Sequence, residues 1–151
     1  MKRAAYLLLG ICTLLGGIFA SRSGLAASRL VLEGSTVRDT KTGLVWQQTA
    51  SSTKRDFAGA QAYCSGLGAG WRLPNIRELI SIVDDTHLPD FDQMPAIDPL
   101  FLPSSTDHDF DFWSSTPTPG SSDSFWYVKF AYGSVLLDGK MTMLKLARCV
   151  R

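Results

Sequence analysis

Histidine and cysteine are scarce in this sequence of 151 residues, which has two histidines and three cysteines. The common zinc sites need several such ligands at short spacings, and no such spacing occurs here. The serines lie outside any nucleophile-elbow pattern, and the glycines do not form a phosphate-binding loop. These absences argue against a zinc enzyme, a hydrolase of that type and a nucleotide-binding protein, and we expect this protein not to be an enzyme.

Charge is missing from residues 4–20, which follow the basic residues Lys2 and Arg3. Basic residues, an apolar stretch and then small residues are the three parts of a secretory signal. The apolar stretch is at the lower limit of the length that spans a bilayer, so a retained membrane anchor is the alternative. We predict a signal peptide over residues 1–27 and one exported domain over residues 28–151, located in the periplasm, at the cell surface or in the medium.

Removal of the signal changes the charge balance, because three of the 15 basic residues lie within it: Lys2, Arg3 and Arg22. The remaining domain has 12 basic residues against 14 acidic residues and is slightly acidic. It lacks the basic excess that is typical of proteins that bind nucleic acids. We expect neither a nucleic-acid partner nor stable insertion into a membrane, and the sequence leaves oligomerisation open.

Only two cysteines, Cys64 and Cys149, remain once Cys12 leaves with the signal. Two cysteines in an oxidising compartment usually form a disulfide. We therefore predict a bond between Cys64 and Cys149, with two buried free thiols as the alternative.

Secondary-structure patterns indicate an α+β domain, with strands near both of its ends and two helices between them. Short apolar runs separated by turns predict three early strands, at residues 30–32, around residue 37 and at residues 44–46. A first helix is predicted over residues 55–67, because Thr53 and Asp56 have capping-box spacing and apolar residues then recur at helical intervals.

A second helix is predicted after Asn75, which is a good N-cap with Glu78 at the third helical position. Its apolar residues recur at helical spacing, and they are Ile76, Leu79, Ile80 and Val83. The later strands are predicted at residues 112–116, 124–130 and 134–137, followed by a turn at Asp138 and Gly139 and a last strand that ends with residues 148–151.

The segment before the later strands, residues 84–111, has eight aspartates and no lysine or arginine. Long irregular segments of this kind are often functional. Asp107, Asp109 and Asp111 stand at alternate positions, and calcium prefers several carboxylate oxygens as ligands. A calcium site at these three residues is one hypothesis, and a solvated acidic loop is the other.

Aromatic residues are concentrated in the later strands, where they can serve either the core or a stacking surface for sugars. Successive residues of a strand point to opposite faces, so Phe125 and Tyr127 share one face and Trp126 points to the other. Trp126, Tyr127 and Tyr132 are the candidate ligand-binding aromatics, with a core position as the alternative for each.

Five segments, in order, resemble the signatures of the Lcl C-terminal domain family, which is found at the end of a collagen-like adhesin of Legionella. They are residues 42–46 (TGLVW), 60–64 (AQAYC), 71–79 (WRLPN followed by Glu78 and Leu79), 112–115 (FWSS) and 148–151 (RCVR). The resemblance covers about residues 36–151. It implies a fold related to C-type lectin domains and to formylglycine-generating enzymes, in a protein of the bacterial envelope or of the medium.

The best-known member of that family is a trimeric adhesin that binds glycosaminoglycans, whereas this sequence has an acidic domain and no collagen-like repeat. By their place in the family-like segments, Trp46, Trp71 and Trp113 are interpreted as scaffold. Arg72 has two interpretations. It pairs with a buried carboxylate or with carbonyl groups and fixes the start of the second helix, or it binds a ligand from an exposed position.

These observations predict an exported bacterial binding or adhesion module, which recognises a glycan or an envelope protein through the loops of residues 84–124. A structural or assembly component of the envelope, without a small ligand, is the alternative. A divergent enzyme on a scaffold like that of formylglycine-generating enzymes is a third hypothesis. Calcium is the only cofactor that the sequence suggests.

Overall fold

The computed structural model describes residues 28–84, 86, 95–101 and 110–151, without the side chain of Asp138. Two three-stranded antiparallel sheets lie near the two ends of this domain, and two short helices lie between them in the chain. The predicted mixture of helices and sheets is confirmed. The predicted signal peptide lies outside the described residues, and within them no helix is long and apolar enough to cross a membrane.

The first sheet consists of β1 (Leu30–Glu33), β2 (Thr36–Asp39) and β3 (Val45–Gln47), in that order. Val37 and Trp46 stand opposite each other on β2 and β3, and both side chains are fully buried. Because cross-strand partners share a face, this face of the sheet packs against the core. All three strands lie at the positions that the apolar runs predict.

The last residues of the chain extend the first sheet. The backbone of Val45 exchanges two hydrogen bonds with that of Arg151, of 2.8 and 2.9 Å, and Arg72 exchanges two with Val150, of 3.0 and 2.9 Å. Residues 149–151 therefore lie between β3 and the segment around Arg72. The predicted last strand is present only as such short bridges, because its residues pair with several distant segments in turn.

Asp39, at the end of β2, is a buried carboxylate that holds the following turn. It accepts hydrogen bonds from the guanidinium of Arg29, at 2.5 and 3.0 Å, and from the backbone N–H of Lys41, at 2.9 Å. Burial disfavours the charged form, but the hydrogen bonds from Arg29, Thr42 and Lys41 outweigh burial and lower the pKa of Asp39 to about 2.

The ionised Asp39 is expected to stabilise the fold by about 2 kcal/mol at neutral pH. Its pKa in the folded state lies below the ordinary value of 3.8, so this contribution is complete above that value and is lost as the pH falls toward about 2. Asp39→Asn should remove the contribution and flatten the pH dependence of the unfolding free energy in this window, as measured by urea denaturation. Glu33→Gln is the matched control, because the exposed Glu33–Arg38 pair contributes little. A variant that keeps the wild-type pH dependence would contradict this role of Asp39.

Helix α1 spans Phe57–Ser65 and starts later than predicted. Its cap is Asp56, whose carboxylate accepts a hydrogen bond from the backbone N–H of Gly59 at 2.7 Å. Arg55 is not helical, because its backbone exchanges two hydrogen bonds with that of Lys145, of 2.8 and 2.9 Å. The prediction that the helix begins at Arg55 was therefore wrong, since a pairing with a distant segment sets its start.

Helix α2 spans only Ile76–Ile80, and its predicted capping box is confirmed. Asn75 accepts a hydrogen bond from the backbone N–H of Glu78 at 2.9 Å, and Glu78 accepts one from the backbone N–H of Asn75 at 2.8 Å. Val83, expected to continue the helical stripe, instead pairs with Ile97 in a short antiparallel bridge.

The second sheet consists of β4 (Asp111–Pro117), β5 (Ser124–Lys129) and β6 (Ser134–Lys140), in that order. The predicted turn at residues 138 and 139 is wrong, because β6 continues through both. A Cβ atom at Gly139 would lie only 2.8 Å from the ring of Trp113. Close packing against that ring, rather than a turn, therefore requires the glycine.

Both faces of the second sheet contribute to the core. Phe112 and Val128 stand opposite each other and belong to the larger core cluster, which also contains Val37, Trp46 and Leu79. Trp113 and Tyr127 stand opposite each other on the other face. There Trp113 belongs to the smaller core cluster, with Phe57, Cys64 and Cys149. Phe57 of α1 packs edge-on against Trp113, with ring centroids 5.7 Å apart. The second sheet therefore lies between the two clusters.

Cys64 of α1 and Cys149 form the predicted disulfide, with Cα atoms 5.4 Å apart. Both residues are fully buried, in the smaller core cluster. The bond connects α1 to the residues that extend the first sheet. The alternative of two free thiols is excluded.

Arg148 is an almost fully buried cation, with 2% of its surface exposed. Its guanidinium donates hydrogen bonds to the carbonyl oxygens of Gln47, at 2.8 Å, and Gln48. It also lies 4.8 Å from the ring centroid of Phe101 and 5.5 Å from that of Phe112. Burial lowers the pKa of Arg148 to about 9, so the group remains mostly protonated at neutral pH.

Candidate functional site

A groove of about 290 Å³ opens beside the first sheet. Three parts of the chain line it, namely the start of β2, the end of β3 and the turn after α1. The lining residues are Ser35, Thr36, Gln47, Thr49, Leu67 and Trp71. An aromatic ring with an apolar side chain and a few polar groups is a common lining of small-ligand sites.

Trp71 forms one wall of the groove and is held from several sides. It is half-buried and packs against the smaller core cluster. The guanidinium of Arg151 lies 5.0 Å from the centroid of its ring. The backbone of the next residue, Arg72, is hydrogen-bonded to that of Val150. These contacts hold the ring in place, and the Arg151 guanidinium lies over part of one of its faces.

Gln47 supplies an amide group that is fixed at both of its ends. Its Nε2 donates a hydrogen bond to the hydroxyl of Tyr63 at 2.6 Å, and its Oε1 accepts one from the backbone N–H of Cys149 at 3.3 Å. The Tyr63 ring is in turn covered by the guanidinium of Arg55, 4.9 Å from the ring centroid. The donor and acceptor ends of the Gln47 amide are therefore distinct and oriented.

None of the six lining side chains is ionisable, while hydroxyl groups come from Ser35, Thr36 and Thr49. The groove therefore presents neutral hydrogen-bonding groups beside an aromatic wall. The arrangement offers hydrogen bonds and an aromatic surface to a polar, uncharged molecule.

A model of the Lcl C-terminal domain family matches residues 35–151. The chain belongs to the Lcl C-terminal domain family. The match contains every residue that lines the groove, together with the disulfide and Arg148. A search of curated proteins found no match. The resemblance seen in the sequence is confirmed, and the groove is part of the Lcl C-terminal domain itself.

The three predicted ligand-binding aromatics lie on β5 and in the turn before β6 of this Lcl C-terminal domain. Trp126 and Tyr127 are neighbours on β5, where the pairing with both adjacent strands shifts register. The ammonium group of Lys145 lies 3.6 Å from the ring centroid of Tyr127 and so covers part of that ring. Tyr132, in the turn before β6, is 51% exposed and is the most accessible of the three. Ligand binding by these residues stays a prediction.

Arg72 forms two hydrogen bonds with the carboxylate of Glu78, of 2.8 and 2.7 Å. These bonds lower the pKa of Glu78, and the same carboxylate caps α2. Arg72 therefore orients the start of the second helix, as the first interpretation has it. Its side chain is also 49% exposed, so a ligand-binding role stays a prediction.

Asp111 is the one member of the predicted calcium site within the described residues, since Asp107 and Asp109 lie outside them. Its carboxylate oxygens lie 3.4 Å from the Nζ atoms of Lys129 and Lys145. Across the described part of the chain, no group of three His, Cys, Asp or Glu residues is arranged to hold a metal ion. The calcium hypothesis depends on the residues outside that part and stays a prediction.

The groove is a feature that sequence patterns do not reveal. They assign Trp71 to the scaffold and give no reason to single out Gln47, whereas the structure places both in the lining of the same groove. The one local signal is the pair of glycines before Trp71. In the structure Gly68 and Gly70 have left-handed backbone conformations, with φ of 115° and 84°. Such a turn places the following aromatic residue beside the end of α1, but it does not show what lies opposite.

Proposed function

We propose that this protein is an exported binding module that recognises a glycan and contributes to adhesion. The observation that carries the proposal is the groove, which is lined by the ring of Trp71 and by the oriented amide of Gln47. Sugars have both apolar C–H faces and hydroxyl groups, so they match a site with one aromatic wall and several neutral polar groups. The absence of an ionisable side chain from the lining favours binding over catalysis.

Two further features support this assignment. Membership of the Lcl C-terminal domain family supports a fold related to C-type lectin domains. The disulfide between Cys64 and Cys149 supports export, because such bonds persist in oxidising compartments. The signal-like pattern of residues 1–27 agrees with the same destination.

A glycan array, run with added calcium and again with a chelator, tests the proposal. The protein purified in its oxidised form is expected to bind a defined set of glycans, and thermally unfolded protein is the control. Binding that disappears with chelator would support the calcium hypothesis for Asp107, Asp109 and Asp111. If the folded protein binds no glycan under either condition, the lectin-like function is wrong.

A second candidate is a structural or assembly role in the envelope, with a protein as partner. It is favoured by apolar side chains that are 36–62% exposed along β6 and the turn after it: Val135, Leu137, Met141, Met143 and Leu144. Exposed apolar patches commonly mark contacts with other proteins. This role would be preferred if the protein binds no glycan but sediments with the envelope fraction.

A further inference from the structure

The groove beside the first sheet combines an aromatic ring with neutral polar groups. We propose that it binds a single uncharged sugar ring, stacked on Trp71 and hydrogen-bonded to the amide of Gln47. This inference rests on the proposed function and assigns it both a site and a ligand class. The site differs from the loop region of residues 84–124 and from the aromatics Trp126, Tyr127 and Tyr132.

The size and charge of the groove limit its ligand. A volume of about 290 Å³ lies just below the usual range for small-molecule sites, so the groove has room for about one sugar ring. The lining has no charged side chain. The guanidinium of Arg151 is outside the lining and already contacts the Trp71 ring. A sulfate or carboxylate in the groove would therefore lose water without gaining a paired cation from the lining. The groove therefore favours an uncharged ring.

The amide of Gln47 has unused hydrogen-bonding capacity. A carboxamide has two N–H donors and two acceptor lone pairs. One N–H is used by the Tyr63 hydroxyl, and one lone pair is used by the backbone N–H of Cys149. One donor and one acceptor remain, and both are held in fixed directions. Neighbouring hydroxyl groups of a sugar, each able to donate and accept, complement such a pair.

The Trp71 ring supplies the apolar half of the site. A pyranose ring has a face of C–H groups, which loses contact with water when it lies against an aromatic ring. Trp71 is fixed by its packing against the smaller core cluster and by Arg151, so little side-chain entropy is lost on binding. The hydroxyls of Ser35, Thr36 and Thr49 complete the lining. That of Thr36 already donates to the carbonyl oxygen of Glu33, so it can only accept from the sugar.

Three substitutions test the site by titration with neutral monosaccharides and their short oligomers, using isothermal calorimetry. Trp71→Ala is expected to weaken binding at least about tenfold, through loss of the stacking surface. Gln47→Glu keeps acceptors for Tyr63 and for the Cys149 N–H but removes the free N–H donor, and should also weaken binding. Thr49→Phe, at an exposed position, is expected to fill the groove and block binding without disturbing the core.

Thermal unfolding of each variant shows whether it folds. If Trp71→Ala does not fold, Thr49→Phe still tests the site. Tyr132→Ala and Trp126→Ala are the matched controls and should bind as the wild type does. Glycan binding that survives Thr49→Phe but is lost in Tyr132→Ala would overturn this site while leaving the proposed function intact. Preference for uronic or sulfated sugars over the matched neutral ones would overturn the ligand class. If no sugar binds the wild type, the proposed function fails as well.

Discussion

Replacing Cys64 and Cys149 together by alanine should lower the free energy of unfolding by about 4–5 kcal/mol. The bond joins residues separated by 85 positions, and its loss frees a long loop in the unfolded chain. The fold is also affected directly, because the bond connects α1 to the residues that extend the first sheet. Domains of this size are stable by only about 5–15 kcal/mol, so the variant should lose a large share of its stability.

Urea denaturation of the oxidised wild type and of the double variant measures this loss. Wild-type protein unfolded in the presence of reductant is the control, since it lacks the same cross-link and keeps both sulfur atoms. Its free energy of unfolding should fall by a similar amount. A loss below about 1 kcal/mol in both samples would show that the cross-link contributes little to the stability of this fold.

Arg148→Ala should destabilise the fold by about 3–5 kcal/mol. Removal of the guanidinium leaves the carbonyl oxygens of Gln47 and Gln48 without their donor. It also leaves a cavity beside the rings of Phe101 and Phe112, which the guanidinium contacts in the wild type. Urea denaturation again provides the measurement.

Arg148→Lys separates the charge of this side chain from its shape. A guanidinium reaches two carbonyl groups with a planar set of donors and at the same time stacks on aromatic rings. An ammonium group is a compact charge and cannot do both. We therefore expect lysine to recover less than half of the loss. The exposed Arg38 is the control, and Arg38→Ala should change stability by less than about 0.5 kcal/mol. Full recovery by lysine would contradict the role of the guanidinium shape.

Features that depend on neighbouring residues were predictable. The capping box of α2 needs only Asn75 and Glu78, which are three positions apart, and the structure shows both of its hydrogen bonds. The early strands follow from short apolar runs between turns. By contrast, the start of α1 was misplaced because Arg55 pairs with Lys145, and Gly139 was assigned to a turn because its contact with Trp113 is invisible in the sequence.

The candidate sites also divide into local features, which the sequence predicts, and contacts between distant segments, which it does not. Of the two interpretations of Arg72, the pairing that orients the second helix is local, because its partner Glu78 lies only six positions away. The groove brings together residues 35–36, 47–49 and 67–71. No local pattern shows that these segments meet, because their approach depends on contacts between distant residues, such as the hydrogen bond from Gln47 to Tyr63 of α1.

The sequence by itself determined the family, the mixed α and β class and the cysteine pair. Each of these depends on residue types and their order along the chain, which folding does not alter. Only the tertiary structure decided where Trp71 stands relative to Gln47, how deeply Arg148 is buried and why Gly139 is a glycine. These properties arise from contacts between segments that are distant in the chain, and the packing of the whole domain sets such contacts.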